Sequence, residues 1–230
     1  MMAEHPILFN SDMVRAILEG RKTQTRRIIK PQPWVRRTAI KLTLAYHICD
    51  DPILADVWYL SDQNGDTSPL GKCPYGKPGD VLVVKEGYRI RSCVSRGKNS
   101  VVRGYYTADD RRFKIQLTDA EYSRWNARKK PFDRTPGRFM YKSLARLKPV
   151  VKSVRVERVQ DISEADCIAE GIEESTVHGL PAFYLYDGRA HWTADPRESF
   201  QTIWDFINAK RGYGWDKNPW VWVIEFERLT

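Results

Sequence analysis

Cysteine, histidine and long apolar runs are all scarce in this chain, and each shortage excludes something. Its four cysteines, Cys49, Cys73, Cys93 and Cys167, lie far apart, with no C-x-x-C pair and no histidine at zinc-finger spacing. That argues against a structural zinc site. No stretch reaches the roughly 18 apolar residues of a membrane-spanning helix. Met1 to Pro6 holds no apolar core of a secretory signal. The expectation is a cytoplasmic protein with reduced thiols and no membrane partner. G-x-G-x-x-G and Walker A patterns are missing too, so the common nucleotide folds receive no support. Repeats and low-complexity segments are absent, and no residue pattern requires a cofactor or a metal.

Acidic residues are outnumbered. Against 38 Lys and Arg stand 29 Asp and Glu, a formal charge of +9 and a pI near 9.4. Such a balance favours phosphate-bearing partners by long-range attraction, although many basic proteins bind no nucleic acid. Where the charge lies matters more than its total. The composition is 42% hydrophobic, with eight tryptophans, enough for a substantial core. Flat rings fill cores and also stack on bases.

The length of 230 residues suits one domain with insertions. Asn10-Ser11-Asp12 offers caps for a short amphipathic helix over 12–19, with Gly20 as its stop. Pro31-Gln32-Pro33 then breaks regular structure, and 34–72 reads as an insertion with one or two short strands. Strands are expected over 81–86, 101–107, 150–160 and 220–228. The polar stretch 108–138 allows a short helix at 119–128. Ser163-Glu164-Ala165-Asp166 resembles a capping box opening a helix that ends at Glu170-Gly171. Residues 173–195 read as a second insertion. Pro196 then starts a helix with Phe200, Ile203, Trp204 and Ile207 on one face. Strands separated by a few short helices indicate an α+β or small-barrel fold.

Two basic stretches are candidates for function. From Arg21 to Lys41 every charged residue is basic, including Arg21, Lys22, Arg26, Arg27 and Lys30. A charge run is commonly a solvated face. Here it follows a short helix directly and alternates with Thr23 and Thr25, which donate and accept hydrogen bonds. The second runs from Arg124 to Lys148 with Asp133 as its only acid, interleaved with Trp125, Phe132, Phe139 and Tyr141. It reads equally as a backbone-tracking surface or as a loop whose aromatics are core.

Gly20, Lys22, Thr25 and Arg27 match the ASCH signature G-x-K-x-x-(E or T)-x-R. Further blocks agree in order: Pro6-Ile7-Leu8-Phe9, Cys73-Pro74-Tyr75-Gly76, Pro78-Gly79-Asp80-Val81-Leu82, Glu86, Val156-Glu157-Arg158, Gln160-Asp161-Ile162, Ala169-Glu170-Gly171-Ile172 and Asn218-Pro219-Trp220-Val221-Trp222. Over almost its whole length the chain resembles phage and prophage members of the ASCH family. That resemblance implies a single domain over 1–230, with a PUA-like small split β-barrel and a cleft beside the signature helix. Threonine at position 25 is similar to the branch of bacterial N4-acetylcytidine amidohydrolase. The Lys, Thr and Glu proposed for that enzyme carry over to Lys22, Thr25 and Glu170. The chain departs from its phage relatives at Val84-Lys85 and across Phe139 to Arg146, which bears on substrate identity.

These readings set the expectations for function. The partner is RNA or a modified nucleoside, and the reaction is hydrolysis of the amide of N4-acetylcytidine or a related nucleoside. Thr25 is the expected nucleophile, with Lys22 and Glu170 sharing acid–base and electrostatic work. Arg21, Arg26 and Arg27 are expected to hold phosphate, and Tyr106 or Trp125 to stack a base. One alternative is a non-catalytic module that binds RNA or a modified base. Another is a ribonuclease recruiting Lys22 and Tyr106, with His178 or His191 in reach.

Overall fold

The Asn10 side chain accepts a hydrogen bond from the Met13 N–H at 2.8 Å and so opens the first helix, α1 (Ser11–Leu18). Glu19 closes it, and Gly20 turns out at φ +80°, a left-handed conformation that costs glycine little. Val14 and Ile17 form the buried stripe, one residue off the expected start.

The computed structural model describes residues 2–33, 41–43, 57–61, 67–96, 99–127, 134–184 and 192–228. Along the chain β1 (Glu4–Leu8) precedes α1. Next come β2 (Gln24–Ile28), β3 (Lys41–Thr43), β4 (Trp58–Ser61), β5 (Thr67–Gly71) and β6 (Val81–Lys85). Then follow β7 (Tyr88–Arg96), β8 (Asn99–Tyr106), β9 (Arg112–Leu117), α2 (Asp119–Ala127), β10 (Arg134–Thr135) and β11 (Val150–Arg158). The remainder is α3 (Glu164–Ala169), β12 (Glu174–Val177), β13 (Leu180–Tyr184), β14 (Trp192–Thr193), α4 (Pro196–Asn208) and β15 (Trp220–Glu227). This is an α+β architecture of many strands and few short helices. No helix among the described residues is long and apolar enough to cross a membrane.

The chain gathers into two compact units, one of Met1–Gly20, Val81–Pro149 and Arg228–Thr230, the other of Arg21–Asp80 and Val150–Glu227. In the first, β1 pairs parallel with β6, Ile7 opposite Val84. An antiparallel sheet runs in the order β10-β7-β8-β9. Its inner face carries Tyr88, Ile90, Val102, Tyr106, Phe113 and Leu117, closed over by Met140 and Leu144. Gly104 is required here: a Cβ would stand 2.1 Å from the Arg89 carbonyl oxygen and 2.6 Å from the Phe113 ring. The stretch 108–138 thus contains the strand β9 as well as the expected helix, and β7 joins the strands read from sequence.

In the second unit β15 is the middle strand, antiparallel to β11 and to β2. Residues Trp220 to Ile224 are buried on both faces, which explains their unbroken apolar run. Val221 and Val223 pack with Val159, Ile162, Cys167, Ile172, Phe200 and Trp204. On the other face Trp222 meets Trp58 edge-on, with centroids 5.5 Å apart, a favourable ring geometry. Ser163 caps α3 through the Asp166 N–H and Pro196 opens α4, as the sequence leads one to expect, while Asp195 supplies the α4 cap. The two regions read as insertions carry small sheets, β3-β4-β5 and β12-β13-β14.

Candidate functional site

The second unit assembles a buried ionic layer around Glu170. Lys22 lies just ahead of β2 and forms an isolated antiparallel bridge with Glu170. Its Nζ donates to the Glu170 carbonyl oxygen at 2.7 Å and to Oε2 at 2.8 Å. The side chains are only 1% and 7% exposed. Glu170 is placed by the C-cap of α3, with Gly171 at φ +87° turning the chain away.

The strand period sorts the rest of the signature. Opposed residues of antiparallel strands share a face. Arg26 lies opposite Val223, whereas Thr25 lies opposite Ile224 and Arg27 opposite Trp222. Arg26 therefore shares the Val223 face. There its guanidinium donates to Glu157 at 2.9 Å, Asp166 at 2.7 Å and Glu170 at 3.5 Å. Arg155 extends the layer to Glu157, Asp166 and Glu225. It also donates to the Gln24 Oε1 at 3.3 Å. Three cations, Lys22, Arg26 and Arg155, thus meet four carboxylates, Glu157, Asp166, Glu170 and Glu225. Lys22, Arg26 and Glu170 are buried, whereas Arg155, Glu157, Asp166 and Glu225 keep contact with solvent; burying the first three is tolerable only because each is paired.

The pairing leaves distinct marks. Burial lowers the Lys22 ammonium from its ordinary value, and Glu170 opposes this while Arg27 and Arg26 add to it. Burial of Asp166 would raise its carboxyl, but Arg26 and Arg155 more than offset that and its pKa is lowered. The Gln24 Nε2 and Arg26 Nε donors are buried with no acceptor among the described residues.

The expected site residues therefore separate. Lys22 and Glu170 are brought together from 148 positions apart. Thr25 is 2% exposed, on the face of β2 opposite Arg26, with no hydrogen bond to Lys22 or Glu170 among the described residues. Arg26, expected to hold phosphate, is instead enclosed by carboxylates. Arg21 is exposed and donates to the Gly171 carbonyl oxygen, and Arg27 is half-buried. Tyr106, expected to stack a base, points inward and is 4% exposed. Its hydroxyl donates to the Leu144 carbonyl at 2.8 Å. Trp125 lies in α2, His178 in the turn between β12 and β13 at φ +51°, and His191 outside the described residues.

A second charged cluster, in the first unit, was not anticipated. Arg146 donates twice to Glu86, at 2.8 and 2.9 Å, and twice to Asp109, also at 2.8 and 2.9 Å. Its guanidinium lies 4.0 Å from the Tyr106 ring centroid. Burial raises the Glu86 carboxyl despite Arg146. The one sequence cue is an acid directly after the apolar strand β6. Among the described residues, burial pushes the Cys73 and Cys167 thiols up to about 12, which disfavours the nucleophilic thiolate of each at neutral pH. Among the described residues no cluster of His, Cys, Asp and Glu is grouped to hold a metal.

In comparison with known proteins, the chain matches no family model, no curated protein and no solved structure.

Proposed function

We propose that the protein is an ASCH-type, PUA-like amidohydrolase that removes the acetyl group of N4-acetylcytidine or a related modified nucleoside. The observation that carries this reading is the buried Lys22–Glu170 pair, with Nζ and Oε2 2.8 Å apart. A lysine whose pKa is depressed by burial reaches the neutral, proton-accepting form more readily than a solvated one. A carboxylate beside it holds and returns that proton. The signature and the ordered blocks around it support the family.

In this reading an oxygen nucleophile attacks the acetyl carbonyl carbon, and its proton passes to the Lys22–Glu170 pair. The tetrahedral oxyanion collapses, the N4–C bond breaks, and the pair returns the proton to the leaving 4-amino group. With water as the second substrate the products are cytidine and acetate. The resemblance assigns the nucleophile to Thr25, through an acyl-threonine that water then hydrolyses. Because Thr25 lies on the other face of β2 from Arg26, its role is tested separately from that of the pair.

Purified protein is incubated with N4-acetylcytidine and the products are separated by chromatography. Cytidine and acetate in equal amounts, lost in Lys22→Ala, support the reading. Intact substrate at protein levels that still bind RNA would overturn it in favour of a binding module. A labelled RNA that shortens with time would favour ribonuclease action. Thr25→Ala is expected to abolish turnover if the hydroxyl is the nucleophile, and unchanged turnover would transfer that role to water.

A further inference from the structure

We infer that the outer face of the β10-β7-β8-β9 sheet binds single-stranded nucleic acid, its phosphates on a cationic grid and a base on Tyr105. The inference is independent of the amidohydrolase reading, which concerns a different set of residues.

The register builds the grid. Arg134 of β10 faces Arg89 of β7, Arg89 faces Tyr105 of β8, and Tyr105 faces Arg112 of β9. One step along, Arg103 of β8 faces Lys114 of β9. All five cations are exposed and Tyr105 is half-buried, because the alternate residues of the same strands fill the core. Arg89 donates to the Tyr105 hydroxyl at 3.4 Å, which leaves the ring between two arginines. With strands about 4.8 Å apart, four of them span roughly 14 Å, enough for several nucleotides.

Two features distinguish this face from an ordinary solvated one. Like charges placed directly opposite each other in a sheet are destabilising, yet Arg134–Arg89 and Arg103–Lys114 are both such pairs. No acid occupies these positions, and among the described residues none of the five cations has an ion pair. Blunting of sheet edges would place charge on β9 and β10, but Arg89 and Arg103 are on the inner strands. The second feature is the charge distribution. The unit with this sheet holds 20 of the 38 basic residues and only 9 of the 29 acids, and the other unit holds the remaining 18 and 20. The positive excess belongs entirely to the unit with the grid. A polyphosphate chain with exposed bases is the ligand whose charge and flat groups this surface complements.

The test measures fluorescence anisotropy of labelled 12-residue single-stranded RNA and DNA over a salt series. The wild type is expected to bind, with a log–log salt slope that falls by about 0.7 for each phosphate contact removed. Arg89→Glu and Arg103→Glu each turn a repulsive cross-strand pair into an attractive one, so the melting temperature is expected to hold or rise. The double variant is expected to lose at least ten-fold in affinity and to show the shallower slope. Tyr105→Ala is expected to cost about ten-fold through lost stacking. Separate RNA and DNA arms identify which polymer is preferred. No binding by the wild type at about 0.15 M salt, or a folded double variant with unchanged affinity and slope, would overturn the inference. Free N4-acetylcytidine assayed on the same samples separates the two claims: turnover without oligonucleotide binding overturns only the surface, and binding without turnover overturns only the enzyme.

Discussion

Lys22 keeps its charge against burial only with the help of a partner. Its ammonium has lost water, gained Glu170, and stands near Arg26 and Arg27. With its folded pKa below the unfolded 10.5, the folded state binds fewer protons over the interval between them. Stability therefore rises with pH across that interval and is lost as pH falls through the folded value. Lys22→Met removes this dependence, which melting curves measured from pH 6 to pH 10 detect as a flattened alkaline slope. For the reaction, a basic Lys22 gives kcat/KM a limb that rises with pH and levels off below the ordinary lysine range. A limb that breaks only near 10.5 would place the working base elsewhere.

At the scale of elements, the segment from Gly137 to Arg146 is held against β6 by contacts that single substitutions expose. A Cβ at Gly137 would lie 2.8 Å from the Lys85 carbonyl oxygen, so Gly137→Ala is expected to destabilise through backbone displacement. Arg146→Met strands Glu86, which is 1% exposed, without its counter-charge. The expected loss is about 3–5 kcal/mol at neutral pH, read by denaturant unfolding. Glu86 has a raised folded pKa, so its contribution is present below the unfolded value and is lost as pH rises through the folded one. The Arg146→Met penalty should accordingly be smaller at pH 4 than at pH 7. Local signals made several elements legible: the Asn10 and Ser163 caps, the Gly20 and Gly171 stops, and the Pro196 start and apolar stripe of α4. Strand parity was not legible in β8, because Val101-Val102 and Tyr105-Tyr106 offer apolar residues to either face. Only pairing with β7 and β9 turns Tyr106 inward and Tyr105 outward. A shift of one position exchanges a core ring for a displayed one.

For the whole molecule, a single net charge conceals two opposite balances. The basic run after α1 looks from sequence like a phosphate grip. The carboxylates that neutralise Lys22 and Arg26 come from Glu157, Asp166 and Glu170, more than 130 positions away, and no local pattern announces them. The excess that does remain lies in the first unit, and five of its cations, Arg89, Arg103, Arg112, Lys114 and Arg134, meet on one sheet face although they are spread over 46 positions of sequence. Glu170 was reachable only because a short block around it resembles the family. The central claim is that the Lys22–Glu170 pair carries turnover, and the most direct measurement is cytidine release from N4-acetylcytidine by the wild type and by Glu170→Gln, with matched circular dichroism and melting curves. The account predicts a turnover loss of about 10²–10⁴-fold in a folded variant. A folded Glu170→Gln that releases cytidine at the wild-type rate would contradict it.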